Sequence, residues 1–157
     1  MHGIRTKLGL AATAVGIVGV FIGAGPAGAA AGTGAVVGHG TISPGLTNTP
    51  TAQHISFTGT LAAAGTQNSG TYACSFTGAS SIAETLNKGK GTARGTCSGS
   101  KGTATSTVSY TRTSSNVVLS GVSTGAISGH ITGDCVFVPT SAPQVKSYQL
   151  ACGLALK

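Results

Sequence analysis

The chain has 157 residues, 26 of them Gly, with 7% charged and 4% aromatic residues and no Trp. Nine Lys and Arg against two acids set a formal charge of +7, so paired-carboxylate chemistry could draw only on Glu84 and Asp134. No long stretch carries Leu, Glu, Lys and Ala at helical spacing, which excludes a helical bundle.

At the N-terminus Arg5 and Lys7 precede an uncharged run from Leu8 to Gly23, and Pro26-Ala27-Gly28-Ala29 follows with small residues where a signal peptidase reads. Residues 1–29 are therefore expected to be a cleaved secretory signal, and residues 30–157 a single domain. The run is shorter than the roughly 20 residues that span a bilayer, so the mature protein is expected to have no transmembrane segment. With no Cys after the run and no Arg-Arg pair, neither a lipid anchor nor a twin-arginine signal is expected. The expected location is secreted, extracellular or at the cell envelope.

Beyond the signal the pattern has period two. Tyr72-Ala73-Cys74-Ser75-Phe76 places large residues at alternate positions, and so does the run Tyr148, Leu150, Cys152, Leu154 and Leu156. In chain order the strands are predicted at Ala35–Ile42, His54–Leu61, Tyr72–Phe76, Thr92–Cys97, Thr103–Arg112, Val117–Gly125, Ile131–Val138 and Tyr148–Leu156. Turn chemistry separates them at Ser43-Pro44-Gly45, Asn48-Thr49-Pro50, Gln67 to Gly70, Ser98 to Gly102, Ser114 to Asn116 and Thr140 to Pro143. Only Ala79 to Leu86 could form one or two helical turns, and its flanking Gly and Ser oppose that. The fold class is all-β: one antiparallel sandwich or barrel of about eight strands.

Four cysteines, Cys74, Cys97, Cys135 and Cys152, lie in the expected mature part; an even count in an exported chain reads as two disulfides. Their neighbours on the alternating pattern place the sulfurs on the core face. Each consecutive pair bounds a turn-rich segment with strand-like ends, so Cys74–Cys97 and Cys135–Cys152 are the predicted bridges among three connectivities. Cys-x-Phe at Cys74 recurs at Cys135, a faint echo of a repeated hairpin.

The mature part carries seven Lys and Arg against Glu84 and Asp134, a formal +5. Lys88, Lys90 and Arg94, spaced by Gly89 and Gly91, read as a mobile basic loop that would contact an anionic cell-wall polymer or polysaccharide. No aromatic residue interleaves these cations, so nucleic acid is not an expected partner. Glu84 reads as a surface residue of the same loop and Asp134 as a solvated strand residue.

Gly121-Val122-Ser123-Thr124-Gly125 matches the nucleophile-elbow pattern, but no helix follows it and His130 precedes Asp134. Gly23 to Gly28 matches a dinucleotide fingerprint inside the signal, without the strand and helix that motif needs. His39, His54 and His130 have no metal-ligand spacing. No catalytic residue, cofactor or metal is therefore expected.

Gly38 to Leu46, continuing through Gln53-His54-Ile55-Ser56-Phe57-Thr58-Gly59, resembles small secreted β-proteins of actinobacteria. The resemblance covers about residues 38–59; it implies export and a β fold and carries no activity. In size, two bridges and strand pattern the chain is also similar to the apoproteins that carry enediyne antibiotics, although those are acidic and have shorter cysteine loops. The expected function is a secreted non-enzymatic binding or structural module. Two alternatives are a carrier of a small apolar ligand in a sandwich cleft or barrel mouth, and a hydrolase or enzyme inhibitor built on Ser123, His130 and Asp134.

Overall fold

The computed structural model describes residues 32–157. The expected signal and its cleavage site lie outside the described residues. Eight strands follow: β1 (Gly32–Leu46), β2 (His54–Ala64), β3 (Gly70–Ser80), β4 (Lys88–Gly99), β5 (Gly102–Thr113), β6 (Asn116–Gly125), β7 (Gly129–Pro139) and β8 (Val145–Leu156). Each pairs antiparallel with the next, and β8 pairs with β1, so the sheet closes into an up-and-down barrel. Of sandwich and barrel the fold is the barrel: Thr33 to Thr41 of β1 pair with β2 on one edge and with β8 on the other. Every predicted strand is present and runs longer than its pattern indicated.

Alternation sorts the side chains. On β5, Ala104, Ser106, Val108, Tyr110 and Arg112 face inward, and Thr103, Thr105, Thr107, Ser109, Thr111 and Thr113 face outward. All six aromatic residues of the described segment, Phe57, Tyr72, Phe76, Tyr110, Phe137 and Tyr148, lie in or against the interior. Thr, Ser and Lys dominate the outer wall of β4 and β5, while Val37, Val118, Val122, Val136 and Val138 are exposed on β1, β6 and β7.

Large rings fit inside so narrow a barrel because glycines face them. Tyr148 opposes Gly40, Tyr110 opposes Gly91 and Phe76 opposes Gly95 on the neighbouring strand. A Cβ would come within 2.6 Å of the Tyr110 hydroxyl at Gly91 and 2.5 Å of the Phe76 ring at Gly95; at Gly40 it would overlap the Tyr148 ring. Each ring thus lies over the bare backbone of its cross-strand partner.

Two disulfides staple consecutive strands: Cys74–Cys97 joins β3 to β4 and Cys135–Cys152 joins β7 to β8, each pair directly opposed in register. The predicted connectivity is the observed one. The staples lie four strands apart around the barrel, the arrangement the Cys-x-Phe echo suggested.

Two local expectations are corrected, and a third, that Ala79 to Leu86 is not helical, holds. Ser43-Pro44-Gly45 is not a turn between strands but an irregularity inside β1, where its register with β8 shifts between Thr41 and Leu46. Ala79 to Leu86 forms no helix: β3 continues to Ser80 and the rest is the loop to β4. Lys88 to Arg94 is not a mobile loop but the first part of β4, paired with β5, where Gly89 and Gly91 face inward against the Glu84 carboxylate and the Tyr110 ring.

Candidate functional site

The loops divide the barrel into two ends. At one end the connections 65–69, 100–101 and 126–128 are short, and Leu61, Tyr72, Ala104, Ile127 and Leu156 pack with the Cys74–Cys97 bridge into a filled core. Two buried hydroxyls there are paired internally: Ser106 Oγ donates to Ser123 Oγ at 2.9 Å, and Ser123 Oγ to the Ile127 carbonyl at 2.7 Å.

Toward the other end the interior is hollow. A cavity of about 130 Å³ is walled by Val36, Ile55, Phe57, Phe76, Val108 and Leu119, among other apolar residues. Its polar groups gather where Glu84, Tyr110 and Arg112 meet beneath the loop Ser81–Asn87.

That loop folds over the mouth as a lid. The Glu84 N–H donates to the Thr51 carbonyl at 2.8 Å and the Thr51 N–H to the Glu84 carbonyl at 3.1 Å, zipping the β1–β2 and β3–β4 loops together. Gln53, 1% exposed, anchors the first loop: its Oε1 accepts from the Gly45 N–H at 2.9 Å and its Nε2 donates to the Gly45 carbonyl at 3.1 Å.

From the lid the Glu84 side chain drops into the barrel, where Tyr110 donates its hydroxyl proton to Oε1 at 2.6 Å and Arg112 lies 3.6 Å from Oε2. The same guanidinium donates to the Leu86 carbonyl at 2.7 Å and to the Thr85 carbonyl, and it stands 5.2 Å above the Phe137 ring. Phe137 in turn stacks on Tyr148 with 5.0 Å between centroids. Burial, the hydrogen bond to Glu84 and its negative charge push the Tyr110 phenol well above its ordinary range. Burial, reinforced by the Glu84 charge, does the same to Tyr148, whose hydroxyl donates to the Ser56 carbonyl at 2.9 Å. Burial lowers the Arg112 pKa, partly offset by Glu84.

Glu84 is therefore not the surface residue its loop position implied: it is 2% exposed, and Gly89 beneath it leaves the room its carboxylate fills. Sequence reading also passed over Arg112 as an ordinary cation. Its phase was the available signal, since it continues the inward series Ala104, Ser106, Val108 and Tyr110. A cation on the apolar face of a strand needs a buried partner, and the chain has two acids to supply one.

The other singled-out residues are scattered. Ser123 is buried inside the wall, whereas His130 and Asp134 are exposed outside it, so they form no constellation. His39 and His54 also face solvent. Among the described residues no group of three or more His, Cys, Asp and Glu converges, and no helix is long and apolar enough to cross a membrane. Lys88, Lys90 and Arg94 stand exposed on the outer face of β4. Comparison with protein-family models, curated proteins and solved structures returns no match.

Proposed function

We propose that the protein is a secreted, non-enzymatic carrier that holds one small apolar molecule inside the barrel beneath the Glu84 lid. The observation that carries this reading is the preformed apolar cavity of about 130 Å³ above a filled lower core. An eight-stranded barrel has room for side chains or for one small ligand, and an apolar cavity of about 150 Å³ stays dry and takes up benzene. The hollow half therefore suits a single aromatic ring or a short branched hydrocarbon. Walls of Val, Ile, Leu and Phe supply the affinity by area, and the phenols of Tyr110 and Tyr148 offer polar contacts.

Two disulfides support an oxidising, extracellular location. With the signal-like N-terminus they support secretion, and N-terminal sequencing of the exported product should begin at Ala30.

The cavity is tested with benzene and indole, followed by melting temperature and, for indole, by fluorescence that no Trp of the chain obscures. A ligand that binds only the folded state raises stability by about 2.7 kcal/mol at a hundredfold excess over Kd. Ala93→Leu, which pushes two branches into the cavity, should abolish the indole signal. Native mass spectrometry of the protein as secreted should show a bound small molecule. No response to either probe, together with a ligand-free native mass, would reject the carrier reading.

A further inference from the structure

We infer that the outer wall formed by β4 and β5 is a second site, separate from the cavity, that binds a linear acidic polysaccharide. Lys88, Lys90 and Arg94 all project outward from β4 and are exposed. At about 3.4 Å per residue their backbone positions lie roughly 7 and 20 Å along one line from Lys88. Lys101, in the turn after β4, extends the line to the other end of the barrel.

Nothing in the wall neutralises these charges. Glu84 lies inside the barrel with Arg112, and Asp134 stands on β7, three strands away from β4. Among the described residues the Glu84–Arg112 contact is the one ion pair.

Lysines on strands commonly serve to keep an open sheet edge from pairing with another chain. That explanation has no place here, because β4 is not an edge. Its lower part pairs with β3 and its whole length with β5, and above that the Ser81 N–H donates to the Lys90 carbonyl and the Thr85 N–H to the Lys88 carbonyl. Held on both flanks, the cations keep their backbone spacing, so a ligand need not order the main chain beneath them.

The neighbouring column decides which polyanion fits. Lys88, Lys90 and Arg94 stand directly beside Thr113, Thr111 and Thr107, and all six outward residues of β5 carry hydroxyls. On the other side Thr77 is the register partner of Arg94. Anion-binding cations flanked by hydroxyls match a chain that alternates carboxylates with hydroxyls. The aromatic rings all belong to the interior, so nucleobases find nothing to stack on.

The probes are polygalacturonate, neutral dextran and oligothymidylate, added to the secreted protein at low and at physiological salt. Polygalacturonate should bind and weaken steeply as the Debye length shrinks to about 8 Å; dextran should not bind, and oligothymidylate should bind more weakly than polygalacturonate. Each cation near an anionic surface is worth about fivefold, so K88Q/K90Q/R94Q should lose about a hundredfold in affinity. K88R/K90R/R94K, which keeps the charges, should retain binding even if either triple variant melts a few degrees lower. T107A/T111A, which keeps every cation, should weaken polygalacturonate without altering the oligothymidylate response. Undiminished binding by the Gln variant, or oligothymidylate binding as tight as polygalacturonate, would overturn the assignment. Ala93→Leu, which fills the cavity, should leave polygalacturonate binding unchanged, so the two sites fail or stand independently.

Discussion

Tyr148 on β8 lies over Gly40, its register partner on β1, and a side chain at Gly40 would occupy the space of the ring. Phe57 is the register partner of the same glycine on β2, but its ring lies against Gly38 and Gly59, so neighbouring bare positions of β1 seat the two rings. Gly40→Ala should therefore act as overpacking, costing about 1–3 kcal/mol. Thermal melts check it. Tyr148→Phe keeps the ring and removes only the bond to the Ser56 carbonyl, for about 1 kcal/mol. A Gly40→Ala variant as stable as the parent would show that both the Tyr148 ring and the Ser56 carbonyl have space to shift.

Glu84 and Arg112 should behave as a coupled buried pair. Removing one partner strands the other charge in the interior, at about 3–5 kcal/mol, whereas replacing both by apolar residues of similar size is often close to neutral. Urea unfolding of Glu84→Leu, Arg112→Met and the double variant forms the cycle, and the double variant should be more stable than the sum of the single losses. Strict additivity would mean that each side chain acts only through its separate hydrogen bonds to Tyr110 and to the lid carbonyls.

Alkali should destabilise the fold through its tyrosines. Tyr110 and Tyr148 have pKa values raised above the ordinary 10.0 in the native state, so the native protein holds those protons more tightly than the unfolded chain. The resulting stabilisation is complete below pH 10.0 and is lost as pH climbs from there toward the native values. Melting temperature should accordingly fall above about pH 10, with phenolate absorbance appearing together with unfolding. Glu84→Gln removes a charge that raises both phenols and should move their titration to lower pH.

Each disulfide should contribute substantially to stability. Cysteine separations of 23 and 17 correspond to about 3 kcal/mol each in the chain-entropy account. Replacing Cys74 and Cys97 together by Ala should lower stability by that order, and so should the Cys135 and Cys152 pair. Calorimetry of the two double variants and of the reduced parent gives the comparison. An unchanged melting temperature after full reduction would show that the bridges add nothing to the stability of the closed barrel.

Alternation, turn chemistry and cysteine spacing were enough to place the strands and the core face of the cysteines and to favour the observed pairing among three. Those features are local: alternation is read within a few residues, turn chemistry within three or four, and each bridge joins strands consecutive in the chain. That the sheet closes is legible only in three dimensions, since the β1–β8 pairing joins the two ends of the described chain and leaves no mark on either strand alone. Pairing with β3 and β5 placed Lys88, Lys90 and Arg94 on a strand where their glycines suggested a loop, and Gly89 and Gly91 face inward against the Glu84 carboxylate and the Tyr110 ring. The position of Glu84 could be read no sooner. Its burial depends on Tyr110 and Arg112, some 26 and 28 residues onward in the chain, which the barrel wall brings beneath the lid.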